Sequence, residues 1–258
     1  MSWLSRRSFV GRLLSLPLLA FAPGRDARAG RPSATVAMLR VDGLSEPRPG
    51  VLQGLLDDVE ENSSVRLTMA DGSIRLEDPR LFRMPFVVLS GASAFAPLSD
   101  AALANLRLFL RDGGFLFIDD ASGRDSSDFD RCVRRDLKRA LPGSPLVPIG
   151  RDHAVYRSFF LLGAVSGRVM IRPHLEGVWQ GDITPVLYSR NDLFGALWRS
   201  PGGGYALDVV PGRERQRGQA LRLAINVVLF ALTGNYKRDA VHVRALLERM
   251  RRQGGYSR

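Results

Sequence analysis

The 258-residue sequence holds one cysteine, Cys132, with no CxxC pair and no cysteine–histidine cluster. An intrachain disulfide and a thiolate zinc site are therefore excluded. Lysine is scarce as well. Lys138 and Lys237 are the only two, so arginine carries nearly all the positive charge behind the formal net charge of +11. No uninterrupted apolar run reaches the ~18–20 residues of a spanning helix, so a polytopic helical membrane protein is not expected. Stretches in which basic and aromatic residues interleave, as on an RNA-binding platform, are missing, and nucleic acid is not an expected partner. Internal repeats and low-complexity tracts are missing too. What is present is ordinary globular composition. Hydrophobic residues make up 45% of the chain, too many for intrinsic disorder, and the length suits one large α/β domain or two small ones.

The amino terminus reads as an export signal. Ser5-Arg6-Arg7-Ser8-Phe9-Val10 resembles the twin-arginine signature, and the moderately apolar stretch Val10 to Phe21 follows it directly. Ala27-Arg28-Ala29 then places small residues at both positions that a signal peptidase reads, so cleavage is expected before Gly30. The expected location is the periplasm or cell envelope, reached by the twin-arginine route. The expected division is a signal peptide over 1–29, an α/β domain over 30–236, and a basic helix and tail over 237–258.

Within the body, residues 34–41 are rich in β-branched and apolar types and end at Asp42-Gly43, which predicts a strand and a turn. Leu52, Leu55, Leu56 and Val59 recur at helical spacing, and a short strand is expected over Val65 to Met69. Phe86-Val87-Val88-Leu89-Ser90-Gly91 is a continuous apolar run of the kind buried on both faces of a parallel sheet. Ser99 caps the next helix, with Leu98 and Leu103 placed as a hydrophobic staple, and Asp112-Gly113-Gly114 stops it. Phe115 to Ile118 is a second buried strand ending in Asp119-Asp120, and Phe129 to Leu141 a helix ended by Pro142-Gly143. Strand, helix, strand, helix in this order predicts an open, mostly parallel sheet with helices on both faces. Further strands are expected at Val169 to Arg172, Pro185 to Tyr188 and Tyr205 to Val209, and helices over 219–233, ended by Gly234, and Asp239 to Arg252.

The series Phe86 to Gly91, Leu98 to Gly114, Phe115 to Asp120, Leu223 to Asn235-Tyr236-Lys237 and Val241-His242-Val243 resembles the bacterial domain-of-unknown-function family 4159. The resemblance implies a flavodoxin-like fold similar to class I glutamine amidotransferases, with no established activity. In the amidotransferase fold a cysteine sits on a sharp turn after a central strand, and a later His-x-Glu pair activates it. Here the corresponding strand is followed by Asp119-Asp120-Ala121-Ser122-Gly123, with no cysteine. Cys132 has the helical, apolar setting of a packed small hydrophobe. A thiolate glutaminase is therefore not expected.

The carboxyl ends of strands are where open α/β sheets bind ligands, so Asp119 and Asp120 are the leading candidates. With Asp125, Asp128 and Asp130 they place five carboxylates within twelve residues, with Ser122, Ser126 and Ser127 between. Such a cluster needs a cation, an arginine or protonation to relieve it. Asp119, Asp120 and Asp125 could hold Mg²⁺ or Ca²⁺, or the loop could be an Asx-rich turn in which one aspartate caps the following helix. Tyr188, Asn191 and Asp192 follow a strand and could line the same cleft, or form a capped turn. His153, and His174 with Glu176 in His-x-Glu spacing, are the remaining acid–base candidates beside Asp120; His242 reads as a surface or packing residue. Gly202-Gly203-Gly204 lacks the P-loop Lys-Ser/Thr and reads as a hairpin turn. The leading expectation is a non-catalytic binding or assembly module. The alternative is a metal-assisted hydrolase using Asp119 and Asp120.

The charge is unevenly placed. Residues 1–29 contribute +4, residues 30–210 a net −1, and residues 211–258 a net +8. A neutral body with a basic carboxyl-terminal segment, including Arg244, Arg249, Arg251 and Arg252, is thus expected to meet anionic lipid, an acidic protein or solvent.

Overall fold

Both faces of the central strands are covered, which is why their sequences run apolar without alternation. The computed structural model describes the backbone of residues 33–253 and the side chains of residues 34–233. The Arg6-Arg7 pair and the expected cleavage site at Ala27 and Ala29 lie outside the described residues. Seven strands form one sheet: β1 (Ser33–Met38), β2 (Arg66–Met69), β3 (Phe86–Gly91), β4 (Phe115–Asp120), β5 (Leu146–Pro148), β6 (Glu176–Gln180) and β7 (Ile183–Ser189). Their spatial order is β2-β1-β3-β4-β7-β6-β5. The first five in that order run parallel, and β6 and β5 extend the sheet antiparallel. The order of β2, β1, β3 and β4 is flavodoxin-like, with its switch point between β1 and β3.

Alternation along each strand divides the core in two. Phe86 and Val88 of β3, with Phe115 and Phe117 of β4, pack with helices α1 (Val51–Asn62), α4 (Leu193–Leu197) and α5 (Arg213–Gln253). Val87 and Leu89, with Leu116 and Ile118, pack on the other face with α2 (Asp100–Arg111) and α3 (Asp128–Ala140). The expected α/β architecture is the observed one.

Local chemistry sets the helix ends. The Ser99 hydroxyl accepts the Ala102 N–H at 3.0 Å and caps α2, and Leu98 and Leu103 both pack into the cluster beneath it. At α3 the cap is Ser127, accepting the Asp130 N–H at 2.9 Å, and not an aspartate of the loop. Asp128 and Asp130 instead occupy the first turn, where the helix dipole favours negative charge.

Several expectations fail in the second half. Val169 to Arg172 is not a strand, because its N–H groups are taken by the Asn191 backbone carbonyl and side chain instead of a ladder. Tyr205 makes one isolated bridge to Arg199, and 205–209 forms no strand. The turn between them does close at Ser200–Gly204, as the three glycines suggest. Strand β6 and the edge strand β5 are additions that the sequence pattern did not predict. One helix, α5, stands where two were expected, running through Gly234 and across the 236/237 boundary. A single interior glycine costs a helix only about 1 kcal/mol, too little to end it.

Candidate functional site

The carboxyl ends of β3, β4 and β7 form the candidate site. The parallel register aligns Ser90 with Asp119 and Asp119 with Ser189, so these three side chains stand on one face across three strands. Asp120, the next residue, belongs to the opposite face. The two aspartates predicted as a pair therefore have different tasks, and both are fully buried.

Asp119 accepts the backbone N–H groups of Leu193 at 2.8 Å and Phe194 at 3.1 Å, satisfying orphan donors at the start of α4. Burial, reinforced by the nearby Asp192 charge, pushes its carboxyl up to about 8, against the pull of the two N–H donors. Asp192 caps the same helix through the Gly195 N–H at 2.9 Å. It adopts a left-handed φ of 49°, a conformation that Asp tolerates better than most residues. Its other partners are Arg48, at 2.9 Å, and Arg168. The expected capped turn is thus present, and two arginines converge on its cap.

Asp120 accepts the Ser122 N–H at 3.0 Å, the Ser127 hydroxyl at 2.7 Å and the Arg190 Nε–H at 3.1 Å. Arg190 is itself buried and reaches Asp130 at 3.1 Å. Asp130 continues to Arg134 at 2.9 Å, and Arg134 to Glu176 at 2.7 Å. The Tyr188 hydroxyl donates to Asp130 at 3.2 Å, and burial beside Asp120 and Asp130 drives its pKa upward. The acidic loop is therefore relieved by arginine and hydroxyl donors. Asp125 pairs with Arg172 and not with Asp119 or Asp120. Among the described residues, no three His, Cys, Asp or Glu side chains are grouped to hold a metal ion.

Asn191 works on a loop. Its Oδ1 accepts the N–H groups of Ile171 and Arg172, each at 2.8 Å, and its Nδ2 donates to the Arg172 carbonyl at 2.8 Å. The adjacent backbone approaches so closely that a Cβ on Gly167 would stand 2.1 Å from the Asn191 carbonyl oxygen.

The other candidates do not join the site. His153 bonds Thr184 at the amino end of β7, five residues or about 16 Å along the strand from Ser189. It cannot serve Asp119 or Asp120 in one reaction. His174 lines a small cleft with Arg151 and Tyr156, while Glu176 turns to Arg134, so the His-x-Glu spacing makes no dyad. Cys132 is buried, its thiol against the Phe95 carbonyl at 3.3 Å, as a packed residue should be. His242 lies beyond the described side chains.

Sequence reasoning missed the arginines Arg48, Arg168 and Arg190, because arginine is abundant everywhere in this chain. It also missed Ser90. Ser90 Oγ and Arg48 Nε are buried atoms without a hydrogen-bond partner among the described residues. Both neighbour Ala121 near the switch point: Arg48 Nη2 reaches the Ala121 carbonyl at 3.5 Å, and the Ala121 N–H donates to the Gly91 carbonyl beside Ser90 at 2.8 Å.

The mostly parallel seven-stranded sheet with helices on both faces defines an open α/β architecture of flavodoxin-like strand order. Within it, this chain belongs to the family described as Domain of unknown function (DUF4159), whose model matches residues 35–232. The Asn235-Tyr236-Lys237 segment falls outside that match. A comparison with curated proteins finds no match. Among solved structures, a ThuA-like protein from Bacteroides uniformis is similar at 12% identity, over 81% of this chain and 95% of that one, with a TM-score of 0.38. So distant a likeness carries no argument about the site.

Proposed function

We propose that this protein is an exported, non-catalytic binding module of amidotransferase-like fold that lacks a cysteine nucleophile and holds a small polar ligand in the switch-point crevice. One observation carries the reading. Ser90 Oγ and Arg48 Nε are buried without partners, whereas the carboxylates around them are already engaged by backbone N–H groups, hydroxyls and arginines. Unmatched buried polar groups are costly, and a ligand oxygen accepting from both would satisfy them. An oxyanion suits this pair, since arginine favours negative oxygen. Asp119 and Asp120 act as locks on α4 and α3, not as an acid–base pair.

Export is supported by position. The first strand begins at Ser33, so cleavage before Gly30 would remove the signal and leave the sheet whole. Among the described residues, no helix is long and apolar enough to cross a membrane. The basic carboxyl-terminal segment is proposed to rest on anionic lipid after export.

Inorganic phosphate, titrated against the full chain by thermal shift, tests the ligand reading. Phosphate should raise the melting temperature of wild type, and Ser90→Ala should reduce that gain without lowering stability in its absence. If phosphate leaves the melting temperature unchanged, or Ser90→Ala responds as wild type does, the crevice is not the ligand site.

A further inference from the structure

A second concavity lies at the other end of the sheet, away from every residue of the crevice. It has a volume of about 750 Å³ and opens at the amino ends of β4 and β7, between Phe115, Pro185, the short 3-10 turn Ala154–Arg157 and Phe230 of α5. That volume falls within the ~300–1,000 Å³ of small-molecule sites.

Its floor is neutral and internally satisfied. The Val155 N–H donates to His153 Nδ1 at 3.1 Å, which leaves the ring proton on Nε2, 2.9 Å from Thr184 Oγ1. Burial lowers the His153 pKa, which favours the uncharged imidazole. The ring stands between Trp179 and Phe230, with centroid separations of 5.4 and 5.1 Å. Trp179 is 40% exposed, a large aromatic surface left open at the mouth. The rim carries the charge. Asp152, Asp182 and Arg157 all line the cavity and are exposed. None of the three makes a side-chain hydrogen bond or ion pair among the described residues. Two carboxylates against one guanidinium leave the mouth net negative.

From this combination we infer a second binding site, for a small amine with an aromatic ring. The ring would pack in the cavity against the open indole of Trp179, over the His153 imidazole that fills the space between Trp179 and Phe230, and the ammonium group would remain at the mouth beside Asp152 and Asp182. The inference does not depend on the crevice, which uses other residues at the opposite end of the strands.

Calorimetric titration of the full chain with tryptamine, indole and indole-3-acetate tests it. Tryptamine should bind about tenfold or more tighter than indole or indole-3-acetate, and Trp179→Ala or the pair Asp152→Asn, Asp182→Asn should each cost about tenfold in affinity. These positions are exposed, so the variants should melt where wild type does. The inference is overturned if tryptamine does not bind, if indole-3-acetate binds as tightly through Arg157, or if neither variant changes the affinity.

Discussion

At the scale of single residues, adjacent aspartates serve separate elements because a strand turns successive side chains to opposite faces. Asp119 has the clearest consequence for stability. Its folded-state pKa of about 8 lies above the ordinary carboxyl value, so between pH ~4 and 8 the folded chain binds a proton that the unfolded chain has lost. Its contribution is therefore complete at acid pH, declines as pH rises and is gone above about 8. The decline approaches ~1.4 kcal/mol per pH unit. Urea unfolding of wild type and Asp119→Asn from pH 5 to 8 should show this slope in wild type and lose it in the variant. The variant should also be less stable at pH 5 by about 1–3 kcal/mol, because an amide NH₂ would face one of the two backbone N–H donors. The sequence pointed to Asp119 and Asp120 through their place at a strand end. It could not show which donors would meet them, since Arg190 looks like any other arginine until the chain folds.

At the scale of elements, legibility followed burial. Strands β3 and β4 are continuous apolar runs and were readable to within two residues, as were the capped helices α2 and α3. The edge strand β5 has three residues and includes Pro148, so it carries almost no pattern. The segment from Val169 to Arg172 has the composition of a strand, yet a single residue, Asn191, takes over its hydrogen bonding through its carbonyl and its side chain. Removing that side chain should free the segment. Asn191→Ala is expected to leave two N–H groups and a carbonyl unmatched, to cost about 2–4 kcal/mol, and to speed amide exchange at Ile171 and Arg172 while β3 and β4 stay protected. Equal acceleration in the central strands would mean that Asn191 supports the whole fold and not the loop.

At the scale of the molecule, charge and chain order divide the work. The body is close to neutral, and the net +8 of residues 211–258 gathers at the carboxyl-terminal end. Sedimentation with phosphatidylserine vesicles should capture the full chain at low salt and release it near 0.5 M salt, whereas a chain truncated after residue 248 should bind more weakly. Replacing Arg6-Arg7 by lysines should hold the protein in the cytoplasm, as the twin-arginine reading requires.

In the proposed binding module the strand-end carboxylates are structural locks and do not hold a catalytic metal. Melting the full chain and its Asp119→Asn, Asp120→Asn double variant with and without millimolar Mg²⁺ or Ca²⁺ tests it most directly. The account predicts a variant that melts several degrees lower and no metal-dependent shift in either protein. A rise in the wild-type melting temperature with Mg²⁺ or Ca²⁺ that vanishes in the variant would contradict it.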